Sequence, residues 1–279
     1  MQEQEVSRTA LAVAHLRAAH QIFDAEPRIF DDPVAVPILG AAGRARLLAA
    51  AGRHAEEKRR ALRSHVVLRA RFVEDRLRLA AQRGVRQYVI LGAGLDTFAL
   101  RQPEWARGLR IVEIDHPATQ AHKRRLLSES GLELPDNAAL VPVDFERRNM
   151  AEALADGGVD PAAPAFFAWL GVVMYLPQPV VDEALRELAR FPAGSEVVVS
   201  FRPPPQGENS DRDALARRVA DLGEPFVNFH TAGAIIADLL RAGFGSAGTL
   251  GPEEAAAYYA GRPPDLPPPQ ARRLAWALR

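Results

Sequence analysis

The chain has 279 residues, and 48% of them are hydrophobic, enough to bury a full core. Its 35 basic and 35 acidic residues cancel to a net charge of zero, which excludes the basic footprint of a nucleic-acid binder or a polybasic membrane contact. No cysteine is present, so disulfides, thiolate zinc sites and a cysteine nucleophile are excluded as well.

Met1-Gln2-Glu3-Gln4-Glu5 is acidic and lacks the basic start and apolar core of a secretion signal. The longest apolar run covers residues 166–176 and ends at Pro177, well short of the roughly 20 residues that span a bilayer. The expectation is a cytoplasmic protein. Residues 1–84 read as a helical cap without strands. Leu11, Leu16 and Phe23, then Leu68, Phe72, Leu77 and Leu79, recur at helical spacing. Asp31-Asp32-Pro33 marks a turn; no nearby histidine or further acid completes a metal site there. The basic stretch from His54 to Arg63 reads as the exposed side of a helix, with Glu56 and Arg60 spaced as an i,i+4 pair.

From residue 85 the pattern changes. Strands are predicted at 87–91, 110–114, 140–143, 165–170 and 196–201, and helices at 118–128, 146–155, 179–190 and 231–242. Such alternation implies βαβ units on a parallel sheet. Residues 85–201 form the cofactor-binding core of this reading. Residues 202–230 form an insertion or lid carrying Pro203-Pro204-Pro205 and a polar helix, and residues 231–279 complete the core. The proline-rich stretch 261–269 reads as irregular wrapping chain before a last strand at 272–278. The whole is read as one domain.

The strongest local signal is Val89-Ile90-Leu91-Gly92-Ala93-Gly94-Leu95-Asp96-Thr97, a strand entering a glycine turn. Glycines let the backbone bend and approach a ligand closely. Glu113 and Asp115 follow on the next strand, at the distance where a doubly wound fold presents a carboxylate to ribose. A dinucleotide fingerprint would continue with a third small residue to carry a pyrophosphate, but this turn has Asp96-Thr97. A carboxylate at that mouth repels a pyrophosphate and suits an ammonium and a sulfonium, which favours S-adenosylmethionine over a nicotinamide. Val143-Asp144-Phe145 ends the third strand: Asp144 can accept from an adenine amine and Phe145 can pack on the ring, although Asp144 also fits a helix cap. Three acids then converge at the carboxyl edge of the sheet.

The sequence resembles the leucine carboxyl methyltransferase family, in particular its bacterial branch of small-molecule O-methyltransferases. The likeness runs in order through Ser7-Arg8-Thr9-Ala10, Arg17-Ala18-Ala19-His20, Ile29-Phe30-Asp31-Asp32-Pro33, Arg69-Ala70-Arg71-Phe72 and Leu91-Gly92-Ala93-Gly94-Leu95-Asp96-Thr97. It continues through Val112-Glu113-Ile114-Asp115-His116-Pro117, Trp169-Leu170-Gly171 with the residues up to Leu176, and Gly223-Glu224-Pro225-Phe226. The resemblance implies a class I methyltransferase (Rossmann-like) α/β fold: a seven-stranded sheet, mostly parallel with an antiparallel last strand, under an N-terminal helical cap. It further implies that Arg71 holds the methionine carboxylate, Gly92 and Gly94 line the methionine portion, Asp115 binds ribose, and Asp144 with Phe145 binds adenine. Leu170 stands where many members carry a glutamate near the cofactor, a change also found in another part of the family.

No catalytic residue is fixed by the sequence. Tyr175 and His230 are candidates for substrate contact and base, and Arg202 for an acidic substrate, while His20 reads as structural and His116 as a helix start or an adenosine contact. The reaction expected is O-methylation of a carboxylate or hydroxyl of a small metabolite of secondary metabolism, with no nucleic-acid partner. Alternatives are methylation of a protein C-terminal carboxylate, a nicotinamide oxidoreductase, and a cofactor-binding protein without catalysis.

Overall fold

A computed structural model describes residues 7–144, 148–204, 224–271 and 273–279. The strands are β1 (Gln87–Leu91), β2 (Arg110–Asp115), β3 (Ala138–Pro142), β4 (Ala165–Trp169), β5 (Glu196–Ser200), β6 (Ser246–Thr249) and β7 (Leu274–Leu278). They form one sheet in the order β3-β2-β1-β4-β5-β7-β6. β1 to β5 pair in parallel, and β7 runs antiparallel between β5 and β6. The chain steps outward from β1 to β3, then returns to β4 on the other side of β1. This reversal opens a crevice at the carboxyl ends of β1 and β4, where doubly wound folds bind ligands. Six of the seven strands were predicted, β1 to β5 by their apolar runs and β7 as the last strand; β1 and β4 are buried along their whole length, as strands covered on both faces should be. β6 was missed: Ser246-Ala247-Gly248-Thr249 is a half-exposed edge with no apolar alternation.

Side chains alternate between two cores. Val89, Leu91, Val112 and Phe167 face α6 (Met150–Asp156), α7 (Gln178–Leu188) and α8 (Ala232–Ala242). Tyr88, Ile90, Phe166 and Val198 face α4 (Glu57–Gln82), which supplies Leu68, Phe72 and Leu77. A third cluster joins α1 (Arg8–Phe23), α2 (Gly40–Ala49) and α5 (Pro117–Glu129) through Ala14, Ala18, Leu47, Leu126 and Leu127. Polar side chains set the helix starts: Ser7, His116, Asn149 and Thr231 each accept a backbone N–H two or three residues on. Residues 261–269 wrap irregularly, as expected. They lie across α4, where Arg60 donates to Pro264 O at 3.0 Å and Ser64 to Pro267 O at 2.5 Å. Arg63 departs from the expected exposed face. It is buried and grips Asp24 with two donors at 2.6 and 2.5 Å, while Arg60 reaches the proline-rich strap rather than Glu56. His20 is structural, its Nδ1 2.7 Å from the same Asp24.

The helical layer is tied to the glycine turn through Asp32, which is fully buried. Asp32 receives Arg17 of α1, the Thr97 hydroxyl at 2.7 Å, and Arg101 Nε at 3.3 Å. Arg101 reaches on to Glu74 of α4. No group of three or more metal-ligating side chains occurs among the described residues. Burial raises the Asp32 pKa, but the charges of Arg17 and Arg101 outweigh it and the net shift is downward. A depressed carboxylate contributes stability that is present above its unfolded value and lost as pH falls through the folded one. Asp32→Asn is therefore expected to cost about 3–5 kcal/mol at neutral pH, the cost of stranding buried partners. The gap from the parent protein should narrow as pH drops below the ordinary value of 3.8. Urea unfolding at pH 7 and at pH 3 measures both, and a gap independent of pH would contradict this role.

Candidate active site

A cavity of about 1830 Å³ opens over the carboxyl ends of the strands. Ligand pockets usually span about 300–1,000 Å³, so this one has room for two small molecules side by side. Its floor is the turn after β1 and the segment after β4. Its roof is α1, α4, the Glu224–Val227 segment and the proline strap.

The turn after β1 is built from close approaches. Gly92 has φ +68°, and a Cβ there would lie 2.1 Å from Val172 Cγ2. Gly94 has φ +55°, and its Cβ would lie 3.1 Å from Ala10 Cβ of α1. Both glycines line the cavity, yet the missing side chain at Gly92 makes way for Val172 of the β4 segment. The Gly94 N–H donates to Asp115 Oδ2 at 2.5 Å, and the His116 N–H to Asp115 Oδ1 at 2.6 Å. Each oxygen keeps a further acceptor site for a hydroxyl. Burial pushes the Asp115 pKa up, against the pull of these two N–H donors. Behind it, buried Glu113 pairs with Lys123, whose Nζ also donates to Asp96 O at 2.6 Å and so braces the turn.

Asp96, Asp115 and Asp144 all line the cavity, so the three acids expected at successive strand ends do converge. Thr97 does not join them: it is buried and bonded to Asp32 and Arg17. Phe145 lies outside the described residues. His116 marks the helix start, its Nδ1 accepting from Ala118 N at 3.3 Å, and it also lines the cavity. Leu170 also lines the cavity.

Arg71 is not brought to the site. It bonds both oxygens of Asp75 at 2.9 Å, reaches Ile29 O at 3.4 Å and is 40% exposed. Arg69 lines the cavity instead. Two residues advance a helix by about 200°, so one of these arginines faces the cavity and the other faces away. Arg69 has no hydrogen bond or ion pair with any described residue. Burial and the charge of Arg17 pull its pKa down to about 10, against Tyr175 and Asp96. An unpaired, desolvated guanidinium beside the glycine turn fits a carboxylate ligand.

His230 is also absent from the cavity. It is 4% exposed, lies 3.1 Å from Asp238 of α8, and is buried among structural groups. Tyr175 and Arg202 do line the cavity. The Tyr175 ring lies 5.2 Å from that of Phe226, and the Arg202 guanidinium sits 4.3 Å over the same ring. Burial, then the charge of Glu224, raises the Tyr175 pKa, so the phenol is protonated at neutral pH. Sequence reading missed Glu224 as a roof contact. Its carboxylate accepts from Arg8 N at 3.0 Å and from the Ser7 and Thr9 hydroxyls at the start of α1, where a helix favours negative charge.

Two experiments follow. Gly92→Ala is expected to destabilise the fold by about 1–3 kcal/mol through overpacking and a left-handed backbone; Val172→Ala should recover part of the loss in a double-mutant denaturation cycle, and no recovery would remove Val172 as the cause. Arg69→Ala should weaken S-adenosylhomocysteine by about 2–3 kcal/mol, as for a lost charge-assisted pair, and leave methylthioadenosine, which lacks the carboxylate, nearly unchanged. Arg71→Ala should affect neither in titration calorimetry, and the reverse pattern would restore Arg71 to the site.

A sequence model of the family described as leucine carboxyl methyltransferase matches residues 10–189. A protein of Parafrankia sp. (strain EAN1pec), named for S-adenosyl-L-methionine-dependent methyl transfer, is 34% identical over 226 residues, covering 78% of this chain and 69% of its own length. A Mycolicibacterium smegmatis protein named for the same activity is 35% identical over 229 residues, covering 78% and 73%. In fold, the chain is similar to a solved methyltransferase-type structure from Thermobifida fusca, with TM-score 0.61, 19% identity, and coverage of 100% of this chain and 96% of that one. The sheet order and these likenesses give a class I methyltransferase fold, with S-adenosylmethionine as the cofactor. The chain belongs to the leucine carboxyl methyltransferase family and is an S-adenosylmethionine-dependent methyltransferase.

Proposed function

We propose that the protein O-methylates a small metabolite by in-line transfer, with the acceptor lying beside the cofactor in the same cavity. The observation that carries this reading is the cavity itself: it is larger than one ligand needs and is roofed by helices and the strap. The cofactor supplies a methyl group on a positively charged sulfur, so the protein's own work is orientation and exclusion of water.

In this reading Arg69 holds the amino-acid carboxylate, Asp96 stands near the ammonium, Asp115 receives the ribose hydroxyls, and Asp144 receives the adenine amine. Gly92 and Gly94 keep the turn flat beneath the cofactor. Tyr175, protonated and packed on Phe226, presents an O–H to the acceptor. The protonated phenol donates and does not serve as a base, so the acceptor oxygen arrives already ionised or loses its proton to water. No described helix is long and apolar enough to cross a membrane; a cytoplasmic setting and a place in secondary metabolism belong to the same proposal.

The test is transfer of radiolabelled methyl from S-adenosylmethionine to two panels, one of small hydroxylated and carboxylated metabolites and one of peptides ending in leucine. Label in an extractable small product is expected. Label confined to the peptides would replace this reading with protein carboxyl methylation.

A further inference from the structure

Gly171, two residues after β4, lines the cavity with φ +77°. A Cβ built on it would lie 3.1 Å from Arg69 Nη1, 3.4 Å from Nη2 and 3.6 Å from Cζ. The next residue, Val172, packs into the space that Gly92 leaves by lacking a side chain. Two consecutive residues therefore bring the Arg69 guanidinium of α4 and the turn after β1 to the same short segment.

The order of the three distances gives the direction of approach. Both terminal nitrogens are nearer to the point than the carbon that joins them, so the point lies off the outer edge of the guanidinium. That edge is one of those with which a guanidinium forks two N–H bonds onto a carboxylate. The separation also matches, because a carboxylate oxygen stands about 2.7–2.9 Å from such a nitrogen. A side chain on residue 171 would compete with the ligand oxygens for one space. Gly171 is held in place by its own N–H, which donates to Ser200 Oγ at 2.6 Å. Ser200 ends β5 and is buried. The Gly171 N–H is thus spent inside the protein, and what the residue offers the cavity is room. Arg69, with its pKa at about 10, keeps its charge at neutral pH.

We propose that the gap between Gly171 and the outer edge of Arg69 seats the amino-acid carboxylate of the cofactor, and that Gly171 sets the preference for a ligand carrying that group. The proposal rests on the reading above in which Arg69 holds this carboxylate. Gly171 acts through Arg69 and is a positioning residue: it leaves both terminal nitrogens free to bond the ligand together. With a Cβ in the gap, the guanidinium has to retreat by a few tenths of an ångström or turn, and the fork loses one of its two bonds.

Titration calorimetry on the full chain tests this with two ligands that differ by one group. S-adenosyl-3-thiopropylamine keeps the adenosine, sulfur and ammonium of S-adenosylhomocysteine and lacks its carboxylate. Arg69→Ala is measured first and should weaken S-adenosylhomocysteine while sparing the amine. If it weakens both alike or neither, the Arg69 reading fails and the Gly171 proposal fails with it. With that reading upheld, Gly171→Ala should weaken S-adenosylhomocysteine about tenfold, as for one lost charge-assisted bond, and change the amine by about twofold at most. Backbone strain at a positive φ distorts the segment for both ligands and produces no such difference. In the Arg69→Ala background, Gly171→Ala should cost S-adenosylhomocysteine nothing further. Ser200→Ala releases the Gly171 N–H, should reduce the same preference several-fold, and stands in if the Gly171 variant does not fold. Equal losses for the two ligands, an unchanged preference, or a full loss that persists without Arg69 would overturn the proposal and leave Arg69 assigned.

Discussion

Asp32 is a carboxylate sealed from solvent, and such a charge persists only when cations and donors surround it. The partners it recruits come from separate parts of the chain: Arg17 from α1, Thr97 from the glycine turn, and Arg101 from the segment that follows the turn. Arg101 in turn holds Glu74 on α4. The two helices that roof the cavity and the turn that floors it are thus fastened to one point. Arg76 of α4 and Arg83 just after it also pair with Glu196 of β5, but Asp32 is where both helices meet the glycine turn. With that fastening, Arg69 and His65 on α4 face the crevice, and Ala10 on α1 closes on Gly94.

Topology then sorts the chemistry. The strand order reverses beside β1, so the acids ending β1 to β3 fall on one side of the crevice, and the arginines around β5 and β7 on the other. In the proposed reading, a cofactor with an ammonium, two ribose hydroxyls and an adenine amine takes the acidic side, and its carboxylate takes Arg69 at the boundary. In the same reading the opposite side is left for the acceptor.

Much of this arrangement was legible in the sequence. Continuous apolar runs announced the parallel strands, since strands buried on both faces need them. The glycine turn and Asp115 were legible because their spacing is set by one βαβ unit. Contacts between distant segments were not. Arg69 and Arg71 differ only in helical phase relative to the sheet, which the local spacing does not contain, and the choice went to Arg71. Asp32 looked like half of a surface acid pair because its cations lie 15 and 69 residues away. Arg63 sat in a run of basic residues that read as a solvated face, yet it is buried against Asp24. His230 looked well placed at a helix start but turns into the protein toward Asp238. β6 gave no signal because an edge strand needs neither apolar alternation nor length.

The central claim is that the cavity has a cofactor half and an acceptor half, divided at the crevice between β1 and β4. A crystal structure of the protein with S-adenosylhomocysteine tests it most directly. The account predicts the ribose on Asp115, the amino-acid carboxylate on Arg69, and continuous open volume left beside Tyr175, His65 and Arg273. A ligand lying with its adenosine against Arg273 and Arg202, or one that fills both halves, would contradict it.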